Sequence, residues 1–247
     1  MMRALLAAIG FLTRIPVPAR VFEDPQAQTR SLAWYPAAGL AIGLSLCALA
    51  WALQTRPPLL SAAVLLAAWV ALTGALHLDG LADSADAWVG GMGATQQERR
   101  ERTLAIMKDP RSGPIGVVAV ALALLLKFAA LASLPAPAWP ALLLAPVLAR
   151  AALTLAFLTT PYVRSGGLGQ ALVAAPRAAC IAALLLSAAG CAAAGWRGAL
   201  ALALAMLVFA SWRRAWRQRL QGMTGDCCGA LAEAVEVAVL LGFAVSV

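Results

Sequence analysis

The sequence predicts an all-α protein, a polytopic integral membrane helical bundle with about seven transmembrane helices. Of its 247 residues, 62% are apolar and only 12% are charged, and the mean hydropathy is +0.83. A soluble domain of this length carries roughly twice as much charge, because polar groups must cover its surface. The uncharged stretches 31–55 and 57–78 are long enough to cross a bilayer, which excludes soluble, disordered and collagen-like proteins.

Seven segments approach the ~20 apolar residues that a helix needs to span the hydrocarbon core. They are residues 31–54, 59–78, 115–134, 141–160, 178–196, 198–212 and 229–247. Residues 1–13 predict a short interfacial or buried helix, because Arg14 and Pro16 interrupt the pattern of a cleaved signal peptide. With the N-terminus in the cytoplasm, most of the 19 Lys and Arg residues fall on the cytoplasmic side. The side of the membrane on which the C-terminus lies depends on whether the Ala-rich segment 178–196 and the short segment 198–212 both cross the bilayer.

The acidic residues predict where chemistry takes place. All 11 lie in three groups, at residues 23–24, 79–109 and 226–236, and each group falls at or near the predicted cytoplasmic face.

A capping box of Thr95 and Glu98 predicts a helix in the largest loop. The five cysteines form no Cys-x-x-Cys pair and no Gly-Lys-Ser/Thr motif occurs, so zinc, redox and P-loop chemistry are not expected.

The first chemical motif is the segment 77–86, which reads HLDGLADSAD. Asp79, Asp83 and Asp86 share one face of a helix with 3.6 residues per turn. Their mutual repulsion at a membrane boundary favours a bound cation, and hard oxygen ligands favour Mg²⁺ or Mn²⁺ over zinc. The alternative is a solvated helix end. His77, the sole histidine, either packs there, orients a carboxylate or acts as a base.

Two further motifs carry charge at the same face. The segment 106–116 reads IMKDPRSGPIG, and its Lys108 and Arg111 suit a phosphate or diphosphate, unless they serve only as topological anchors. Asp226, Glu233 and Glu236 lie on one face of the last helix. For Glu233 and Glu236 the alternative is pairing with the intramembrane bases Lys127 or Arg150.

Together these motifs resemble the cobalamin synthase family, adenosylcobinamide-GDP ribazoletransferase. Segment 224–226 with the two following glutamates also resembles it. So do 11–16 (FLTRIP), which contains Arg14, Tyr35-Pro36 with Gly39 and Gly43, and Pro161-Tyr162 with Arg164. The resemblance therefore covers essentially the whole chain, with order and spacing kept.

The resemblance implies a single membrane-embedded transferase domain, residues 1–247, in the bacterial cytoplasmic (inner) membrane. It implies an Mg²⁺-dependent reaction in which a hydroxyl of α-ribazole, or of its 5′-phosphate, attacks adenosylcobinamide-GDP. The products would be adenosylcobalamin, or its 5′-phosphate, and GMP. The catalytic face would point to the cytoplasm, no nucleic acid would be involved, and a homo-oligomer is left open.

The chemistry of the motifs assigns roles to individual residues. Candidate catalytic residues are Asp79, Asp83, Asp226 and His77, candidate metal ligands are Asp79, Asp83 and Asp86, and candidate substrate-binding residues are Lys108, Asp109, Arg111, Arg14, Arg164 and Glu233. We expect a shared site in which the helix 79–86 holds Mg²⁺ on the diphosphate and the last helix approaches the attacking hydroxyl. Two bound ions are the alternative, and His77 is the competing base.

Two other functions compete with this interpretation. A CDP-alcohol phosphotransferase also uses membrane aspartates, but its motif has Arg where this chain has Asp83. A cation-coupled transporter would carry acids near the middle of the bilayer and an inverted repeat, whereas here the acids gather at one face and no repeat is found.

Overall fold

The computed structural model describes residues 1–134, 138–164 and 168–246. Its α-helices are α1 (Met2–Leu12), α2 (Pro25–Ser31), α3 (Tyr35–Ala52), α4 (Pro58–Thr73), α5 (Leu76–Gly90), α6 (Gln96–Ile106), α7 (Pro114–Ser133), α8 (Trp139–Thr159), α9 (Arg177–Ala193), α10 (Gly195–Leu220) and α11 (Gly225–Val245). The one β feature of these residues is an isolated bridge between Tyr162 and Met223. The all-α prediction is confirmed.

Among the described residues, five helical segments are long and apolar enough to cross a membrane. They are Pro25–Ala52, in which α2 and α3 run on through a short 3-10 turn, and the helices α7, α8, α10 and α11. The pair α4 and α5 passes the same criterion only as one bent unit, which would make six. This number agrees roughly with the seven predicted. The difference includes α9, a predicted span that has only 17 residues.

The break between α4 and α5 was not visible in the hydropathy of the chain. Gly74 has φ 61° and Ala75 has φ 58°, so both adopt the left-handed conformation that ends a helix. The two helices consequently meet at an angle of 87°. The predicted span 59–78 is therefore wrong at its C-terminal end, because α4 stops at Thr73 and α5 carries the aspartate motif away in a new direction.

Helix α11 is the centre of the bundle and packs against α5, α7, α8 and α10. Its contact with α5 is a backbone contact. A Cβ placed on Gly80 would lie 2.8 Å from the carbonyl oxygen of Asp226, and one on Gly229 would lie 3.0 Å from the Cα atom of Gly80. Because glycine occupies both positions, the two acidic motifs are held side by side.

Three other element boundaries follow from local chemistry. The capping box of Thr95 and Glu98 is present and opens α6, as predicted. Helix α10 extends eight residues past the predicted end at 212. Trp212, Trp216 and Leu220 form one buried face along this extension, although the segment also carries arginines. Helix α11 begins at Gly225 rather than at 229, because Thr224 accepts a hydrogen bond from Cys227 N and caps it.

Candidate active site

Five of the predicted site residues line one cavity, which we call the main cavity. They are His77, Asp79, Lys108, Arg164 and Asp226. The cavity has a volume of about 590 Å³, which is in the range of small-molecule sites. Its remaining walls are mostly apolar or aromatic and include Phe11, Leu12, Tyr35, Leu153, Phe157 and Tyr162. The structure therefore combines a charged centre with an apolar surround.

The acidic side of the main cavity is built from α5 and the start of α11. Asp79 is exposed at the cavity, and Asp83 lies one turn further along α5 without lining it. Burial opposes the charge of Asp83 most strongly, the neighbouring carboxylates of Asp79, Asp226 and Asp86 oppose it further, and the guanidinium of Arg164 favours it. This concentration of like charge is the electrostatic situation that a bound cation would relieve.

Arg164 is fixed in place by the short backbone bridge that precedes α11. The N–H of Val163 donates to the carbonyl of Met223 (2.9 Å), and the N–H of Met223 donates to the carbonyl of Pro161 (2.8 Å). Arg164 then donates to Asp226 Oδ2 at 3.1 Å. A cation and an acid of the main cavity are thus paired across two segments that are remote in sequence.

The structure separates Lys108 from Arg111, the two residues predicted to bind phosphate. Lys108 reaches the main cavity, whereas Arg111 does not line it. Arg111 is 86% exposed and donates to both carboxylate oxygens of Asp109, at 2.9 and 2.7 Å. These hydrogen bonds, with a third from the Arg111 backbone, lower the pKa of the Asp109 carboxyl to about 2. Arg111 and Asp109 therefore form a surface pair beside the site.

Asp86 has a structural partner that the motif did not reveal. Its carboxylate accepts hydrogen bonds from the N–H groups of Gly113 (2.6 Å) and Gly116 (2.8 Å), at the N-terminus of α7. Helix α7 begins at Gly113-Pro114 and has no capping side chain of its own. Without a capping side chain, the free N–H groups of the first turn need an acceptor from another segment, and this is the sequence signal that could have indicated one.

The donor set fits magnesium only in part. Among the described residues, no group of three His, Cys, Asp or Glu side chains is arranged to hold a metal ion. Asp86 is engaged with α7, which leaves Asp79 and Asp83 on α5 with Asp226 opposite. Mg²⁺ is commonly bound by one or two carboxylates and completed by water and substrate phosphate, so this smaller set is compatible with it.

Glu233 and Glu236 belong to a buried ion-pair group rather than to the cavity lining. Lys127 Nζ contacts Glu233 Oε2 at 2.6 Å and also contacts Glu236. Arg150 contacts Glu236 and donates to His77 Nδ1 at 3.3 Å. The predicted alternative of intramembrane pairing is confirmed for both acids. Because Nδ1 of His77 interacts with Arg150, Nε2 is the ring nitrogen available for a hydrogen bond with a molecule in the main cavity.

Arg14, the last predicted site residue, lines a neighbouring cavity of about 470 Å³, which we call the second cavity. Sequence reasoning missed the wall between the two cavities. It is formed by Phe11 and Tyr35, whose rings stack with their centroids 6.3 Å apart. Both residues stand in segments that resemble the family, 11–16 and Tyr35-Pro36, but nothing in those segments indicates that the two rings lie against one another.

Comparison with known proteins identifies a family that this chain matches. The model of the family described as cobalamin-5-phosphate synthase matches residues 4–244. A protein of Stutzerimonas stutzeri (strain A1501) is 54% identical, over 100% of this chain and 99% of its own length. One of Pseudomonas aeruginosa (strain UCBPP-PA14) is 53% identical over 98% of both chains. One of Pseudomonas fluorescens (strain SBW25) is 52% identical over 96% of this chain and 97% of its own. All three are named adenosylcobinamide-GDP ribazoletransferase, and no solved structure matches the chain.

Proposed function

The chain belongs to the cobalamin-5-phosphate synthase family, and we propose that its main cavity joins adenosylcobinamide-GDP to α-ribazole or α-ribazole 5′-phosphate. The products are adenosylcobalamin, or its 5′-phosphate, and GMP. The observation that carries this assignment is the convergence of His77, Asp79, Lys108, Arg164 and Asp226, from four distant parts of the chain, on one cavity. The set contains acids, cations and a single imidazole, which suits transfer of a phosphoryl group.

The reaction is a direct displacement at phosphorus. A hydroxyl oxygen of the ribazole attacks the phosphorus on the cobinamide side of the diphosphate, and the bond to the oxygen that GMP retains is broken. The hydroxyl proton passes to a base of the protein, and GMP leaves. Such a step needs charge stabilisation and alignment more than covalent help from the protein.

Lys108 and Arg164 bind the diphosphate oxygens. Lys108 acts as a point charge and Arg164 offers a planar fork that can hold two oxygens at once. In the structure Arg164 pairs with Asp226 at 3.1 Å. A diphosphate that arrives at the main cavity competes for this guanidinium, which frees the Asp226 carboxylate.

The freed Asp226 serves as the base for the attacking hydroxyl. Its backbone lies against Gly80 of the helix that carries Asp79, and both carboxylates line the main cavity, so the base and a proposed metal ligand face the same substrate. His77, held through Nδ1 by Arg150, faces the main cavity as a hydrogen-bonding group.

Asp79 and Asp83 would hold the magnesium ion. When bound, the ion supplies positive charge against the diphosphate and the departing GMP. The like-charge crowding at Asp83 and the two hard carboxylates on one helical face support this assignment.

The protein works as a multi-pass protein of the bacterial cytoplasmic membrane, with the main cavity open to the cytoplasm. The basic segments next to the cavity support this orientation, since α6 carries Arg99, Arg100 and Arg102 and the end of α10 carries Arg213, Arg214, Arg217 and Arg219. Clustered arginines beside membrane helices are retained on the cytoplasmic side.

The direct test uses the purified protein in detergent with adenosylcobinamide-GDP, α-ribazole or its 5′-phosphate, and Mg²⁺. We expect GMP and the corresponding cobalamin to form in equal amounts, to stop with a chelator and to resume when Mg²⁺ is restored. Formation of neither product by folded protein would overturn the proposal. Product formed equally well in chelator would remove the magnesium ion from it.

A further inference from the structure

The second cavity adjoins the main cavity on the side of α1. The two share the side chains of Phe11, Tyr35, Leu76 and Leu172, so they meet at a common wall. The volume of about 470 Å³ is enough for a molecule of nucleotide size. The fold therefore offers a separate space for a small aromatic molecule directly beside the phosphoryl-transfer centre.

Among the described residues, Arg14 is the one charged side chain that lines the second cavity. Its backbone N–H donates to the carbonyl of Leu72 at 2.7 Å, and its side-chain carbons rest on Gly74, where a Cβ would come within 3.0 Å of them. Within the described residues its guanidinium has no hydrogen bond and no carboxylate partner, unlike that of Arg164. A guanidinium that is positioned but unpaired is suited to bind a phosphate.

Two phosphate-bearing substrates need two separate cationic positions, because their phosphates repel one another. The main cavity has Lys108 and Arg164 for the diphosphate of one substrate. The second cavity has Arg14 and an aromatic wall, which match a planar heterocyclic base with a single phosphate.

We propose that the second cavity binds the acceptor α-ribazole 5′-phosphate, with its benzimidazole base against Phe11 and Tyr35 and its 5′-phosphate on Arg14. This assignment rests on the proposed function, since it locates the second substrate of that reaction. A base at the shared wall leaves the ribose beside the main cavity, which Asp226 lines. Arg14 then determines the preference for the phosphorylated over the unphosphorylated acceptor.

The test compares both acceptors in the wild type and in Arg14→Gln, which keeps the carbon chain as far as Cδ and replaces the charged guanidinium by a neutral amide. The KM for α-ribazole 5′-phosphate should rise about 10- to 100-fold, the range expected when a charged hydrogen bond to phosphate is lost. The KM for α-ribazole should change less than about 2-fold, because that acceptor has no phosphate to lose. Arg14→Lys, which keeps a point charge, should fall between the two.

Arg20→Gln is the matched control. It removes another exposed arginine of the same N-terminal segment, one that lines neither cavity, and should leave both KM values unchanged. Equal shifts for the two acceptors in Arg14→Gln, or no shift for either, would overturn the assignment.

A binding measurement separates this proposal from the proposed function. Equilibrium dialysis of α-ribazole 5′-phosphate against the folded protein needs no turnover. Weaker binding in Arg14→Gln than in Arg20→Gln supports the second cavity as the acceptor site even if no cobalamin is formed. Equal binding by both variants overturns the second-cavity assignment, whatever their activity.

Discussion

Replacing Asp86 tests whether this aspartate of α5 stabilises the fold rather than taking part in catalysis. Its carboxylate accepts two backbone hydrogen bonds, at 2.6 and 2.8 Å, and serves as the only side-chain cap seen for α7 in the described residues. Hydrogen bonds to a charged group contribute about 1.5–3 kcal/mol, and an N-cap about 0.5–2 kcal/mol. We expect Asp86→Ala to lower the free energy of unfolding by about 2–4 kcal/mol, and Asp86→Asn by about half as much.

The assay for Asp86 uses the cysteines of the chain. Cys180, Cys191, Cys227 and Cys228 are buried, so a fluorogenic thiol reagent reports unfolding as temperature rises. At about 2–4 °C per kcal/mol for a chain of this size, Asp86→Ala should unfold about 5–15 °C earlier. Below that temperature, Asp86→Asn should keep turnover within about 10-fold of the wild type, whereas Asp79→Asn should lose at least ~10²-fold.

The control for Asp86 is Glu23→Gln, which removes the charge of an exposed acid outside α5 and α7 and should change neither quantity. An Asp86→Asn protein with wild-type thermal stability and a loss of activity as large as that of Asp79→Asn would refute the capping argument and return Asp86 to the metal site.

Two further predictions concern the geometry of the main cavity. Gly80→Ala places a Cβ 2.8 Å from the carbonyl oxygen of Asp226, so it should destabilise the protein by about 1–3 kcal/mol, which thermal unfolding would measure. It should also lower kcat, measured as GMP release, more than the control Ala82→Gly does at a neighbouring position. Lys108→Ala should raise the KM for adenosylcobinamide-GDP about 10-fold or more, while Arg111→Ala should change it less than about 2-fold, because Arg111 is paired with Asp109 outside the cavity. Equal effects of these two substitutions would show that the surface pair opens to bind substrate.

The sequence predicts the helices well because hydropathy and capping are local properties. The capping box of Thr95 is an example, since its partners lie within three residues. The bend at Gly74 and Ala75 escaped prediction because an alanine in the left-handed conformation costs about 1–2 kcal/mol on its own and is held there by tertiary packing.

The motifs of the site are visible in the sequence, but the partners of their side chains are not. Asp79 and Asp226 meet because glycines at positions 80 and 229 allow two helices to touch, a contact between segments about 150 residues apart. Asp83 and Asp86 share a spacing pattern, yet only the position of α7 decides that Asp86 caps a helix. Periodicity gives the face of a helix and leaves open what lies against it.

In the proposed mechanism, Asp79 and Asp226 serve one phosphoryl-transfer step at one site. A double-mutant cycle tests it directly, with GMP release measured at saturating substrates for Asp79→Asn, Asp226→Asn and the double variant. We predict that each single variant loses at least ~10²-fold in turnover and that the double variant is little worse than the slower single one, because residues that act in one step are not additive. A double variant whose loss equals the product of the two single losses, or a folded single variant with near wild-type turnover, would contradict the shared site.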